Sequence, residues 1–193
     1  FDNNIQKLSS DEFISELVEK IGIKTFVLGS DSKIGYDQSG YEDLKNNYPN
    51  IKFIKFLPKK NKGKIISSTL VKEAIEKGNC EETKELLGRF YNINGKVTKG
   101  NNLGEKLGFP TANLIPSSKL VIPKDGIYAS IVEYNDKKYY AATSIGKRPT
   151  FEKNGQRIIE TFILEFNKNI YHKKINVHLV SKIRDEQKFN SQK

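Results

Sequence analysis

The chain has 193 residues, of which 33 are basic and 23 acidic; the formal net charge is +10, with 36% hydrophobic and 29% charged residues. This length allows one or two domains, and the composition is that of a soluble globular protein, slightly poor in core. A single Cys excludes internal disulfides and cysteine metal clusters, no apolar run approaches a membrane span, and the N-terminus lacks a signal-peptide pattern, so the expected compartment is the cytoplasm.

In chain order, Ser9 and Glu12 form a capping box ahead of a helix carrying Phe13, Ile14, Leu17, Val18 and Ile21, with Gly22 as its stop. Residues 23–28 and 51–57 are short β-prone runs, with a second helix expected near 41–47. Lys59, Lys60, Lys62 and Lys64 around Gly63 read as a solvated, mobile loop. Ser68 or Thr69 caps a third helix that Gly78 ends, and Asn79 with Glu82 caps a fourth that ends at Leu87-Gly88. Alternating strands and helices indicate an α/β unit with too few strands for a complete doubly wound domain. After Gly88 the pattern changes. Residues 91–99, 127–134, 138–145, 157–166 and 170–183 are strand-like, with a turn at Asn135-Asp136, which suggests a small antiparallel barrel; from Asp185 the tail looks helical.

The positive charge is weaker evidence of a partner than it looks. It comes from 29 Lys and only 4 Arg, whereas nucleic-acid recognition favours Arg for bidentate and stacking contacts. Ile (22) and Asn (18) are also abundant, and Lys, Ile and Asn share AT-rich codons, so the Lys coat reads as ordinary surface. The chain starts at Phe1 and contains no Met, which reads as a processed chain or part of a longer protein.

Chemistry concentrates in 95–113. Glycines at 95, 100, 104 and 108 alternate with Lys96, Lys99 and Lys106. Glycine lets backbone approach a phosphate, but no Walker pattern is present, and from the residues alone a flexible β-connection is the better reading. Pro110-Thr111-Ala112-Asn113 offers hard oxygen ligands suited to a magnesium–nucleotide complex, or else a plain proline turn. On a strand, Glu160 would share a face with Phe162, Leu164 and Phe166, toward the interior or a pocket, where a carboxylate needs a partner or a role. His172 and His178 have no metal-ligand spacing, and common hydrolase and zinc motifs are missing.

Several of these stretches stand in one family's order and spacing. Leu86-Leu87-Gly88-Arg89, Gly95-Lys96-Val97, Leu107-Gly108-Phe109-Pro110-Thr111-Ala112-Asn113, Pro123-Lys124-Asp125-Gly126-Ile127-Tyr128 and Ile145-Gly146-Lys147-Arg148-Pro149-Thr150-Phe151 resemble riboflavin kinase. So do the Glu160 strand and Arg184 with Glu186, Lys188 and Phe189. Residues 1–85 are similar to the end of the α/β adenylyltransferase domain of the bifunctional bacterial riboflavin kinase/FAD synthetase, through Leu8–Phe13, Ile66-Ser67-Ser68-Thr69 and 29–35. Ser32 and Ile34 replace two Phe of that family's pattern, Leu70 and Lys72 stand where it has Arg, and its N-terminal histidine motif is missing.

The resemblance implies an α+β protein: a partial, Rossmann-like nucleotidyltransferase segment over 1–85, then a riboflavin kinase barrel over 86–193. It implies transfer of the ATP γ-phosphoryl to the 5′-hydroxyl of riboflavin, with Mg²⁺ accompanying ATP, and FMN as product. Gly95, Lys99 and Gly100 would cover the nucleotide phosphates, Thr111 and Asn113 would hold magnesium and phosphates, Glu160 would be the general base and Arg184 would close over the flavin. Arg89 is a further candidate near the domain junction. FAD synthesis is not expected from this chain. Neither nucleic acid nor membrane is an expected partner, and oligomeric state is left open. The alternatives are a basic nucleic-acid-binding barrel using Tyr139, Tyr140 and Phe151, and an inactive flavin-binding regulatory module.

Overall fold

The computed structural model describes residues 5–100, 111–116, 120–147 and 157–187. The chain divides into two compact units between Ile65 and Ile66. The expected division at 85/86 assigns two helices to the first domain; in the structure they group with the second unit.

In the first unit, a 3-10 turn (Ile5–Lys7) precedes helix α1 (Ser10–Ile21). The capping box forms as the sequence suggests. Ser9 Oγ accepts the Glu12 N–H at 3.2 Å, Glu12 Oε2 accepts the Ser9 N–H at 2.8 Å, and Gly22 ends the helix at φ 73°. Strand β1 (Thr25–Gly29), helix α2 (Tyr41–Asn47) and strand β2 (Lys52–Phe56) follow, with β1 and β2 parallel in register from Thr25↔Lys52 to Gly29↔Phe56. Phe26, Leu28 and Phe53 bury one sheet face with Ile14 and Leu44. On the opposite face Val27, Ile54 and Phe56 are exposed. The Lys-rich stretch is a short hairpin rather than an open loop, β3 (Lys60–Asn61) pairing β4 (Lys64–Ile65). Its turn residues Lys62 and Gly63 both have positive φ, which matches the twist of the flanking strands.

In the second unit, Ser67 rather than Ser68 or Thr69 caps helix α3 (Ser68–Glu76), and Asn79 caps α4 (Cys80–Leu87). Six strands then close into a barrel: β5 (Tyr91–Thr98), β6 (Thr111–Pro116), β7 (Gly126–Tyr134), β8 (Lys137–Lys147), β9 (Arg157–Ile163) and β10 (Lys174–Arg184). Their order round the wall is β10-β5-β6-β9-β8-β7, every neighbour antiparallel. Strand β6 was not expected, because Pro110 and the glycines before it masked a six-residue strand. The runs 157–166 and 170–183 are both shorter than expected. Leu164-Glu165 turns at Ile163, with Glu165 at φ 52°, and Tyr171-His172 turns before Lys174, with His172 at φ 64°. Residues 185–187 are not helical.

Alternate residues of each strand fill the barrel, among them Ile93, Val97, Leu114, Ile145, Ile159 and Val177. Three hydroxyls share this interior. Thr143 Oγ1 lies 2.7 Å from Ser130 Oγ and 3.1 Å from Thr161 Oγ1, while Ser130 donates to the Ala141 carbonyl at 3.1 Å. One direction satisfies them all: Thr161 to Thr143 to Ser130 to Ala141 O. The ladder therefore carries no orphaned donor in an apolar core.

Candidate active site

The pairing register decides which candidates meet. Asn113 on β6 stands opposite Glu160 on β9, Glu160 opposite Ser144 on β8, Ser144 opposite Ile127 on β7, and Ile127 opposite Arg184 on β10. At the other end of this row, Thr98 of β5 faces Asn113. One cross-strand row thus contains Asn113, Glu160 and Arg184, residues up to 71 apart in sequence.

The row lies on the outer wall of the barrel. Ile159, Thr161 and Ile163 are the buried residues of β9, and Ala112 and Leu114 those of β6. Glu160 and Phe162 therefore point away from the interior, half-buried, and so do Thr111 and Asn113. Of the two expectations for Glu160, interior or pocket, the structure removes the interior, and Glu160 shares its face with Phe162 but not with Leu164 and Phe166. Leu164 is exposed beyond the strand, and Phe166 packs edge-on against Tyr139, with ring centroids 5.0 Å apart. An outward, half-buried carboxylate avoids the desolvation that an interior one would carry.

Adjacent strands bring Asn113 and Ser144 directly beside Glu160. Arg184 is three strand spacings of ~4.8 Å away, about 14 Å along the wall. Past β5, Lys99 is exposed, and Gly100 passes directly over the Asn113 amide, since a Cβ at 100 would fall 2.1 Å from Asn113 Nδ2. The approach seen at Gly100 is to the Asn113 side chain. Gly95 sits within β5 on the inward side, where a Cβ would meet the Ile115 carbonyl oxygen at 2.8 Å. Its missing side chain lets β5 and β6 pack closely at this point. Arg89 lies at the opposite end of β5 from Thr98, and its Nη1 donates locally to Phe90 O and Asn92 Oδ1.

Two clefts flank Asn113 and Thr111. One of about 210 Å³ is lined by Thr98, Lys99, Gly100, Asn113 and Arg157, among others. The second, about 370 Å³, opens beside Thr111 and is walled by Ala112, Ile163, Phe166, Ile170 and Tyr171, with Asn167, Lys168 and Asn169 at its rim. Beyond β10 the chain folds across the outer wall, because the Glu186 carboxylate rests on Gly146, where a Cβ would lie 2.5 Å from it. The start of this crossing is held by Asp185, which accepts from Lys182 Nζ at 2.5 Å and pairs with Lys124 Nζ at 3.4 Å. The Lys182 hydrogen bond, with the charge of Lys124 adding to it, holds the Asp185 carboxyl below its ordinary range.

Thr111 and Asn113 supply two neutral oxygens on one face. Among the described residues no group of three His, Cys, Asp or Glu could hold a metal by itself. This donor set suits magnesium arriving on a nucleotide, which brings phosphate and water oxygens, and not a resident ion. Sequence reasoning missed Arg157 and Ser144. Arg157 carried one signal, being one of 4 Arg in a chain that uses Lys 29 times. His178 pairs with Glu133 at 3.1 Å and His172 forms a turn, so neither joins the row. The motif residues 101–110, 148–151, Lys188 and Phe189 lie outside the described residues. So does Phe151 of the nucleic-acid alternative; Tyr139 is taken up in packing against Phe166, while Tyr140 is exposed. No described helix is long and apolar enough to cross a membrane.

The riboflavin kinase family model matches residues 87–193, and the FAD synthetase model residues 1–70. A bifunctional riboflavin kinase/FMN adenylyltransferase of Buchnera aphidicola subsp. Schizaphis graminum is 35% identical, the match covering 99% of this chain and 63% of that protein. The Bacillus subtilis protein of the same name is 30% identical, covering 98% and 61%. A solved chain described as a macrolide-efflux protein from Streptococcus pneumoniae superposes with a TM-score of 0.86 at 35% identity, covering 99% of this chain and 62% of that one. The chain spans less than two thirds of the length of each of these proteins. The kinase match alone takes in more than half of the chain and includes the whole barrel, and the chain belongs to the riboflavin kinase family.

Proposed function

We propose that the barrel phosphorylates riboflavin at its 5′-hydroxyl, using ATP and releasing FMN and ADP. The observation that carries this reading is the row Asn113–Glu160–Ser144–Ile127–Arg184 on one outer wall. It sets a carboxylate between a phosphate-type cleft on one side and a wall long enough for a flavin and its ribityl chain on the other.

Phosphoryl transfer asks a protein for positioning and charge neutralisation more than for covalent chemistry. The 370 Å³ cleft beside Thr111, with its aromatic and aliphatic walls, takes the nucleotide base. Thr111 and Asn113 hold the Mg²⁺-bound phosphates, and Lys99 and the backbone at Gly100 cover them. Bound magnesium supplies neutralisation of phosphate charge. Glu160 accepts the proton of the 5′-hydroxyl as its oxygen bonds to the γ-phosphorus and the bond to the β,γ-bridging oxygen breaks. Arg184 and the crossing segment with Glu186 hold the flavin against Ser144 and Ile127. We expect no conversion of FMN to FAD by residues 1–193, because Leu70 and Lys72 stand where the adenylyltransferase pattern has Arg, and developing phosphoryl charge needs preorganised cations.

The test is incubation with riboflavin, ATP and Mg²⁺, with flavins separated by chromatography. FMN formed in step with ADP supports the reading, and riboflavin left unchanged contradicts it. FAD in the product would contradict the second expectation.

A further inference from the structure

We propose that Arg157 is a second phosphate-binding cation of the 210 Å³ cleft, held ready by Asp125. The proposal rests on the kinase reading above and adds a residue to it. Among the described residues, the charged ones in the wall of this cleft are Lys99 and Arg157, and none is a carboxylate. A cleft with two cations, the Asn113 amide and a glycine backbone is a site for an anion of several oxygens, such as an oligophosphate.

Arg157 opens β9 three residues before Glu160, on the parity of Ile159 and not on that of Glu160, so it reaches the cleft from the strand's end and not from the outer-wall row. Its guanidinium is positioned from the other side. Nη1 donates to the Ile122 carbonyl at 3.2 Å, and Nη2 lies 2.7 Å from Asp125 Oδ1. That second contact is an ion pair without hydrogen-bond alignment, because Asp125 Oδ1 is shut off from solvent and makes no aligned hydrogen bond among the described residues. Arginine has five N–H donors, and among the described residues these two contacts leave most of them for a ligand. Asp125 thus holds the charge in place without engaging it fully.

The two roles predict opposite responses at Asp125. MgADP affinity is measured by calorimetry and riboflavin affinity by flavin fluorescence, with Tm recorded for each variant. Arg157→Gln is expected to weaken MgADP binding at least about tenfold, the value of a lost charge-assisted hydrogen bond, with riboflavin affinity unchanged. Asp125→Asn is expected to leave MgADP affinity unchanged or tighten it, since it frees the cation from its competitor. Should Arg157→Gln fail to fold with Asp125 unpaired, the double variant Arg157→Gln/Asp125→Asn makes the pair neutral and is expected to show the same loss. Equal loss of MgADP affinity in Asp125→Asn and Arg157→Gln would overturn the proposal in favour of a structural pair. Wild-type affinity in Arg157→Gln would also overturn it, with the kinase reading intact. Wild-type protein that bound no MgADP would overturn both.

Discussion

Every barrel strand has a neighbour on both edges, because β5 and β7 both close on β10. In the first unit β1 and β2 have, among the described residues, only each other, and Val27 and Phe56 are more than 60% exposed on the uncovered face. Both units bury alternate residues of their strands. The barrel turns this alternation into a closed interior and a free outer wall, and the outer wall is where the candidate site lies. A parallel pair is ordinarily covered on both faces, and among the described residues the second face of β1 and β2 has no cover. Edge closure, more than residue composition, separates the barrel from the β1–β2 pair.

The difference predicts unequal responses to truncation. Ile159→Ala, from the centre of the barrel, should cost about 2–5 kcal/mol of stability, as cavity-forming core changes do. Ile54→Ala, on the uncovered face, should cost far less, and denaturant melts of the two variants compare them directly. Equal losses would mean that the β1–β2 face is covered in solution. Next in size is Thr143→Val. It removes the middle hydroxyl of the ladder and leaves Thr161 without an acceptor, for about 1–3 kcal/mol. Asn113→Ala should weaken MgADP binding while leaving Tm nearly unchanged, since Asn113 is on the outer wall; an equal fall in Tm would make it a packing residue. The smallest effect is expected at Asp37. The Ser10 hydroxyl, at 2.6 Å, and the Ser10 N–H, at 2.8 Å, donate to its carboxylate and hold its pKa below the ordinary value. A lowered folded pKa gives stability that is present above the unfolded value of 3.8 and is lost as pH falls through the folded one. Protection of the α1 amides, taken relative to their intrinsic exchange rate at each pH, should therefore fall on acidification below about pH 4. Asp37→Asn should remove that pH dependence and leave the barrel unaffected.

Local signals in the sequence were read well where their chemistry is local. The Ser9–Glu12 box, the Gly22 and Gly88 stops and the Asn135-Asp136 turn all form where the residues place them. The face of Glu160 was not legible. Both parities of β9 carry apolar residues, Ile159 and Ile163 on one and Phe162 on the other, and the inward set includes Thr161, whose hydroxyl is satisfied by Thr143 on the neighbouring strand. Gly95 is a related case: only the pairing with β6 shows that its missing side chain makes room for Ile115 O. The row that joins Asn113, Glu160 and Arg184 follows from register round a closed barrel, which no local pattern specifies. The role proposed for Arg157 rests on Asp125 and the cleft, both remote in sequence.

The central claim is that the outer-wall row is the reacting site, with Glu160 as its base. Turnover of Glu160→Gln, measured beside its affinities for MgADP and riboflavin, tests this most directly. The amide keeps the shape of the carboxylate and cannot take the proton, so the account predicts a fall of about 10²–10⁴-fold in FMN formation with both ligands still bound. Turnover at the wild-type rate would contradict it.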